Sequence, residues 1–362
     1  GILGIPYAVA KAGFLPGLAI IIVLGLVFLL LNLFAGEIIL RTKKKFQLTG
    51  YAEKYLGKTG KYLMTFSLLI SIYGALTAYL IGEGATLYAL IGFGSPMLWT
   101  FVFFIIASFI VLKGIKATGR TELVLIGLLI LVVAAIGIFS FTSLETSYLT
   151  GIDWTHLFLP YGVVLFAYMA LPVMPELQEE LGKHKKKLKT AIIAGSIIPI
   201  VLYAVFTFVV VGVVGVDNFS LLEPNERIAS IALTLYANPL LGTFASVLAV
   251  LAMFTSYLTL AIALIDMYHI DYTLPKWTAA FATFAIPLAA VFFNITTFIG
   301  ILALTGAVAG GLESILVTVM YWRAKRMGDR KPEYSMGKWY VLGGIFIVMF
   351  VLGIVIQMVH SL

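Results

Sequence analysis

Apolar residues fill run after run of membrane length along this chain, with short charged or turn-rich stretches between them. Crossing about 30 Å of hydrocarbon takes roughly 20 helical residues. On that measure the runs predict eleven spans, at about 1–13, 15–40, 60–91, 97–112, 121–142, 157–181, 188–215, 239–267, 274–293, 297–324 and 337–360. The first is short and opens on Gly rather than Met, so the chain reads as starting inside span 1 with its first half-helix missing. The connections leave no room for a separate soluble domain, and residues 1–362 read as one membrane domain.

Composition agrees with the pattern. Hydrophobic residues make up 61% and charged ones 11%, with mean hydropathy +1.07, which excludes an ordinary soluble fold. Cys is absent, so disulfides, thiol nucleophiles and Cys-based metal sites are excluded with it. The net charge of +7 takes its meaning from where the basic residues fall. Lys and Arg of short loops stay on the cytoplasmic side. Arg41, Lys43, Lys44, Lys45, Lys54, Lys58 and Lys61 follow span 2, and Lys113, Lys116 and Arg120 follow span 4. Lys183, Lys185, Lys186, Lys187 and Lys189 follow span 6, and Lys276 precedes span 9. Arg323, Lys325, Arg326, Arg330, Lys331 and Lys338 separate spans 10 and 11. Only Lys11 and Arg227 of the 24 basic residues fall on the opposite face. This places the N-terminus in the cytoplasm and the C-terminus outside a multi-pass plasma-membrane protein. The charge then reflects topology and contact with anionic lipid, with no nucleic-acid partner implied. The longest outer connection, 216–238, holds Pro224 and a periodic Ile228, Ile231 and Leu235, predicting a short helix there.

Two spans carry matching interruptions, Gly-Ile-Leu-Gly-Ile-Pro at 1–6 and Ala-Tyr-Met-Ala-Leu-Pro at 167–172. Pro removes a backbone donor and clashes with the preceding turn, and small residues before it let the chain unwind. Irregular backbone at membrane depth has to line a cavity or be buried in protein, and paired breaks in corresponding positions point to a transporter's binding site. Ordinary proline kinks are the alternative. With the topology above, span 1 runs outward and span 6 inward. The pattern is therefore an inverted repeat of five spans, 1–142 and 157–324, with 337–360 appended.

The motif Gly-Ile-Leu-Gly-Ile-Pro-Tyr-Ala, then Ala-Gly-Phe at 12–14, and Phe-Ala-Tyr-Met-Ala-Leu-Pro-Val-Met-Pro-Glu-Leu-Gln-Glu-Glu-Leu at 166–181 resemble the amino acid/auxin permease family, part of the amino acid-polyamine-organocation superfamily. The resemblance implies an all-α membrane protein of LeuT-like five-plus-five fold, and amino-acid uptake coupled to sodium or protons. Glycine and carbonyl positions that precede the break in that family have no counterpart before Gly1.

An amino acid presents a carboxylate and an ammonium. Unpaired amides at Gly1, Ile2, Leu3 and Gly4, at the positive end of a helix dipole, suit the carboxylate. Carbonyls at the end of span 6, over Phe166, Ala167, Tyr168, Met169 and Ala170, suit the ammonium, while Phe166, Tyr168 and Met169 supply an apolar wall or plain helix packing. On span 8, Thr255 and Ser256 with the Ala252 carbonyl offer hard oxygens. The resemblance implies a sodium site there, and hydroxyls bonding their own preceding turn are the bland reading. Tyr79 on span 3 is the position from which the resemblance implies a hydrogen bond to the substrate carboxylate. Glu83, four residues on, is an intramembrane carboxylate and so a functional candidate. It binds a proton, pairs with the ammonium, or ties helices together. Glu313 on span 10 is equally ambiguous, whereas Glu37 has Arg41 one turn away as partner.

The leading expectation is a cation-coupled symporter of neutral amino acids, large apolar or aromatic ones included, with no cofactor beyond a coupling Na+ or H+. Sodium is slightly preferred because span 5 has no basic residue past its first turn to imitate a cation. A divalent-metal transporter, suggested by Met169, is opposed by histidines 156, 184, 269 and 360 falling in loops or at a terminus. An amino-acid sensor without transport keeps the same pocket. A membrane enzyme would need convergent acid, base or nucleophile groups, and none are visible.

Overall fold

Helices account for all the regular structure in the computed structural model, which describes residues 1–114 and 119–361, without the side chains of 119–122, 270, 271, 360 and 361. Lys116 and the side chains of Arg120 and His360 thus lie outside the described residues. The α-helices are α1 Ile5–Ala12, α2 Phe14–Leu40, α3 Leu48–Ile91, α4 Pro96–Leu112, α5 Gly119–Phe139, α6 Leu159–Tyr168 and α7 Met174–Glu180. They continue with α8 Leu188–Leu221, α9 Ala229–Tyr236, α10 Pro239–Asp266, α11 Lys276–Phe292, α12 Phe298–Thr305, α13 Gly311–Met327 and α14 Tyr340–Ser361. Seven helical stretches are long and apolar enough to cross a membrane, and four shorter apolar ones fall on predicted spans 1, 4, 5 and 9.

The chain divides into two compact units, each drawn from both halves of the sequence. The first comprises Gly1–Leu18, Ile72–Pro160 and Leu202–Leu302, and the second Ala19–Ser71, Tyr161–Val201 and Ala303–Leu362.

In the first unit α10 is the central rod, packed by α4, α5, α9 and α11. Its start is fixed chemically: Asn238 accepts from the amides of Leu240 and Leu241, and Pro239 occupies the first turn, where no N–H is needed. Gly242 lets α9 approach closely, since a Cβ there would sit 2.3 Å from the Thr234 amide nitrogen. Tyr257, fully buried, meets Phe103 of α4 edge-on at 5.2 Å. The expected helix in the outer connection is α9; Ile228 and Ile231 are buried and Leu235 is exposed.

In the second unit α2, α13 and α14 carry the aromatic core. Phe34 stacks on Tyr321 with centroids 4.0 Å apart, and Phe28 meets Phe350 edge-on at 6.3 Å. Glu37 is completely buried at the end of α2 and accepts four donors: Arg41 Nε at 2.7 Å, Lys325 Nζ at 2.6 Å, Ser335 Oγ at 3.0 Å and the Met336 amide at 2.6 Å. The α13–α14 connection is held down further by Asp329, which takes the Lys43 amide at 2.7 Å and Lys54 Nζ at 2.5 Å.

Three elements depart from the sequence pattern. Span 3 starts at Leu48 rather than near 60, because the lysine-rich stretch is amphipathic: Leu48, Tyr51, Ala52 and Tyr55 fall on one face and are buried. Gly57, at φ 79°, breaks the helix between this segment and the span proper. Span 7 runs to Leu221 across a second such break at Gly215, φ 72°, against which the Tyr148 ring lies. Span 10 contains a π-helical segment, Gly306–Gly310, between α12 and α13. Its origin is tertiary, because Gly306 and Gly162 of α6 meet backbone to backbone; a Cβ at Gly306 would lie 1.9 Å from the Gly162 carbonyl oxygen. Carbonyls in the segment find other donors, Ala309 O from Ser67 Oγ at 2.8 Å and Gly310 O from Ser314 Oγ at 2.6 Å.

Candidate functional site

Both interruptions read from the sequence carry 3₁₀ turns, and span 6 is a break between two helices. The first begins with a 3₁₀ turn, Ile2–Gly4, that carries no side-chain cap and leads into α1 with Pro6 in its first turn. In span 6, α6 ends at Tyr168, a 3₁₀ turn covers Leu171–Val173 around Pro172, and α7 starts at Met174 with Pro175 beside it.

Within the first unit, the break in span 1 opens onto a cavity of about 110 Å³. Gly1, Ile2 and Leu3 form one wall and Tyr79 of α3 another. Ala245, Ala249, Ala252, Met253 and Ser256 of α10 face it, and Phe206, Phe298, Leu302 and an α5 stripe of Leu129, Val132, Val133 and Ile136 complete the lining. Six residues named from the sequence thus share this cavity: Gly1, Ile2, Leu3, Tyr79, Ala252 and Ser256. The Tyr79 and Ser256 hydroxyls stand near each other on an otherwise apolar surface. Gly4 is buried at the junction of the 3₁₀ turn and α1. Thr255 is not among the lining residues; its hydroxyl donates to the Ala252 carbonyl at 3.1 Å.

Glu83 lies one turn beyond Tyr79 on α3, fully buried, and neither carboxylate oxygen has a hydrogen-bond partner. The helix is pressed tightly there. A Cβ on Gly82 would be 2.9 Å from both Met253 and Phe298, and one on Gly84 would be 2.0 Å from the Thr100 hydroxyl. Beside the first turn of α1, Arg227 donates to the Tyr7 hydroxyl at 3.1 Å and to the Leu222 carbonyl at 3.1 Å.

The residues named at the end of α6 belong to the second unit. Tyr168 donates its hydroxyl to the Ile21 carbonyl at 3.1 Å and stacks on Phe28 at 6.2 Å, so its ring is committed to α2. Phe166 O accepts from the Met169 amide at 3.3 Å, Ala167 lies next in the same turn, and Ala170 precedes the 3₁₀ turn. Met169 packs against Gly310 of the π segment. Glu313, also fully buried, follows that segment; the Ser71 hydroxyl faces it short of a normal hydrogen bond. Among the described residues, no three His, Asp or Glu side chains gather where they could hold a metal ion.

The sequence reading missed the apolar lining, which carries no chemical signature. One cue was present: Ala245, Ala249, Ala252 and Ser256 set a stripe of small residues along one face of span 8, where bulkier side chains would fill the space.

An all-helical membrane chain with two broken spans is the architecture of LeuT-like transporters, and the crystal structure of MhsT in complex with L-phenylalanine has this fold. It aligns with TM-score 0.67 over 99% of this chain and 94% of that one, at 14% sequence identity. The chain belongs to the tryptophan/tyrosine permease family, whose profile matches residues 1–360. That assignment corrects the resemblance to the amino acid/auxin permeases: the motifs carrying it sit chiefly in spans 1 and 6, whereas the family profile takes in nearly the whole chain. Relatives include tyrosine-specific transport system 1 of Haemophilus influenzae, 25% identical over 98% of this chain and 91% of its own. Tyrosine-specific transport system 2 of the same organism is 24% identical over 86% and 80%. Glutamine transporter 2 of Aliivibrio fischeri is 23% identical over 95% and 90%. The protein is thus a multi-pass amino-acid permease of LeuT-like fold.

Proposed function

We propose that this chain is a cation-coupled symporter that brings aromatic amino acids, tyrosine and tryptophan first, into the cell. The observation that carries the reading is the cavity at the start of span 1, where the backbone of Gly1, Ile2 and Leu3 shares a small apolar chamber with Tyr79 and Ser256. Amides at the positive end of a helix suit a carboxylate, and Phe206, Phe298 and Met253 suit a ring. Two tyrosine-specific relatives support an aromatic substrate. Import with the N-terminus in the cytoplasm rests on the basic loops. Those loops bind one another within the second unit, through Lys54 to Asp329 and Arg323 to the Tyr55 carbonyl, as loops of one membrane face do.

Counterflow in liposomes tests the reading. Vesicles preloaded with unlabelled tyrosine should draw in labelled tyrosine, with tryptophan and phenylalanine competing and glutamine competing weakly. Tyr79→Phe should weaken tyrosine affinity roughly 10-fold, the loss expected for one hydrogen bond to a charged group. Tyrosine that stabilises the protein against heat yet never exchanges would make it a sensor, and glutamine outcompeting the aromatic amino acids would overturn the substrate assignment.

A further inference from the structure

Among the described residues of this unit, Glu83 is the one fully buried acid, and the packing supplies it neither a charge nor a donor. Its oxygens are unpartnered, and among the described residues α4, α10 and α12, which press against α3 at that level, offer no counter-ion. Neither α4 nor α12 contains an ionisable residue. On α10 the ionisable residues are Tyr257, whose hydroxyl lies by Ser108, and Asp266, more than three turns beyond the Met253 contact. On α3 itself Tyr79 stands beside Ser256, and the nearest hydroxyl on the same face, Thr86, is buried without a partner. An ionised carboxylate in such a place costs several kcal/mol. The arrangement is consistent with a neutral acid and works against an ion.

We propose that Glu83 is the proton-binding site of the carrier: it must hold a proton for the α3 wall of the cavity to close as observed, and it releases that proton when the wall opens to water. The carboxylate gains H⁺ to become the acid and loses it again, with no other bond made or broken. Placement makes the proton matter to the substrate. Tyr79, one turn away, lines the cavity, and Gly82, the adjoining residue, is wedged against Met253 and Phe298, which line it too. Ionising Glu83 therefore strains the same helix turn that shapes the substrate chamber. The inference rests on the carrier reading for its role in coupling; proton occupancy itself does not.

The test uses purified protein in sodium-free proteoliposomes, wild type beside Glu83→Gln, a neutral side chain of the same shape. With an imposed proton gradient, wild type should concentrate tyrosine. Glu83→Gln should keep counterflow and lose at least about 10-fold of the gradient-driven accumulation, a drop equivalent to about 1.4 kcal/mol of coupling. A helix-tying role alone would depress counterflow and accumulation together, which would overturn the proposal. Accumulation by Glu83→Gln equal to wild type, or, in a parallel set of vesicles given a sodium gradient, uptake by wild type driven by sodium and indifferent to the proton gradient, would also overturn it. Infrared difference spectra between the two proteins read the proton directly. A buried carboxylic-acid carbonyl band present in wild type and missing from Glu83→Gln supports the site, and its absence at neutral pH refutes it. With that band present but no counterflow in wild type, the carrier reading fails while the proton site stands. Glu83→Leu gives the same readings should the unpaired amide of Gln prevent folding.

Discussion

Replacing Gly306 with Ala tests whether the π segment is held by direct backbone contact with α6. A methyl group at Gly306 would sit 1.9 Å from the Gly162 carbonyl oxygen and 2.6 Å from the Phe166 nitrogen, both main-chain atoms that no rotamer change can move. A Cβ needs about 3 Å or more from such an atom, so the two backbones must part by roughly 1 Å. Gly162 is equally tight, its own Cβ position lying 2.2 Å from the Ala303 carbonyl oxygen. Overpacking a filled interior costs about 1–3 kcal/mol, and two facing backbones place this case at the upper end, about 3 kcal/mol. For a chain of this size that corresponds to a fall of roughly 4 °C in midpoint. The assay is the fraction of detergent-solubilised protein that stays monodisperse after heating. Gly195→Ala and Gly344→Ala serve as controls, because nothing lies within 4 Å of either Cβ position, and both should be neutral or up to about 1 kcal/mol stabilising. Gly162→Ala should resemble Gly306→Ala, and the double variant should fall short of the sum, since both substitutions open one contact. A Gly306→Ala protein as heat-stable as the Gly195→Ala control would refute the packing account of the π segment.

Two further outcomes follow from charges away from the cavity. Glu37→Ala leaves Arg41 and Lys325 without their shared acceptor and should cost about 3 kcal/mol, freeing the α13–α14 connection to limited proteolysis. Unchanged cleavage there would show that Glu37 does not hold it. In the loop before α6, hydrogen bonds from the Thr155 side chain, His156 and the Thr155 amide hold the exposed Asp153 carboxyl low, at about 2. A carboxyl held down in this way adds stability at neutral pH that is lost only as pH falls through about 2. Asp153→Asn should therefore leave the pH profile of uptake unaltered between about pH 5 and 8, and a displaced profile would place a transport-linked proton in this loop.

What the sequence disclosed tracks how local each cause is. Span positions and both backbone breaks were legible because hydropathy, Pro6 and Pro172 act through their own neighbours. The π segment was not, because Gly-Ala-Val-Ala-Gly at 306–310 reads as plain small-residue helix until Gly162 is brought against it. The helical start of α3 was hidden by its lysines, which masked the buried face of Leu48, Tyr51 and Tyr55. At the cavity, Tyr79 and Ser256 stood out as polar groups in apolar runs, while the α5 stripe had nothing to distinguish it from a lipid-facing helix. Tyr168 has a partner that lies far off in the chain: its hydroxyl serves the Ile21 carbonyl, 147 residues away.

The bonding of Glu37 also sets a schedule for biogenesis. Its Met336 donor is made 299 residues later, so at about 5–20 residues per second the ribosome needs roughly 15–60 s to deliver it. Throughout that interval Arg41, one turn away, is the one of the four donors already made for a carboxylate destined for full enclosure. The local pair acts as a temporary escort for the nascent chain, and the late-arriving Lys325 and Met336 convert it into a permanent seal.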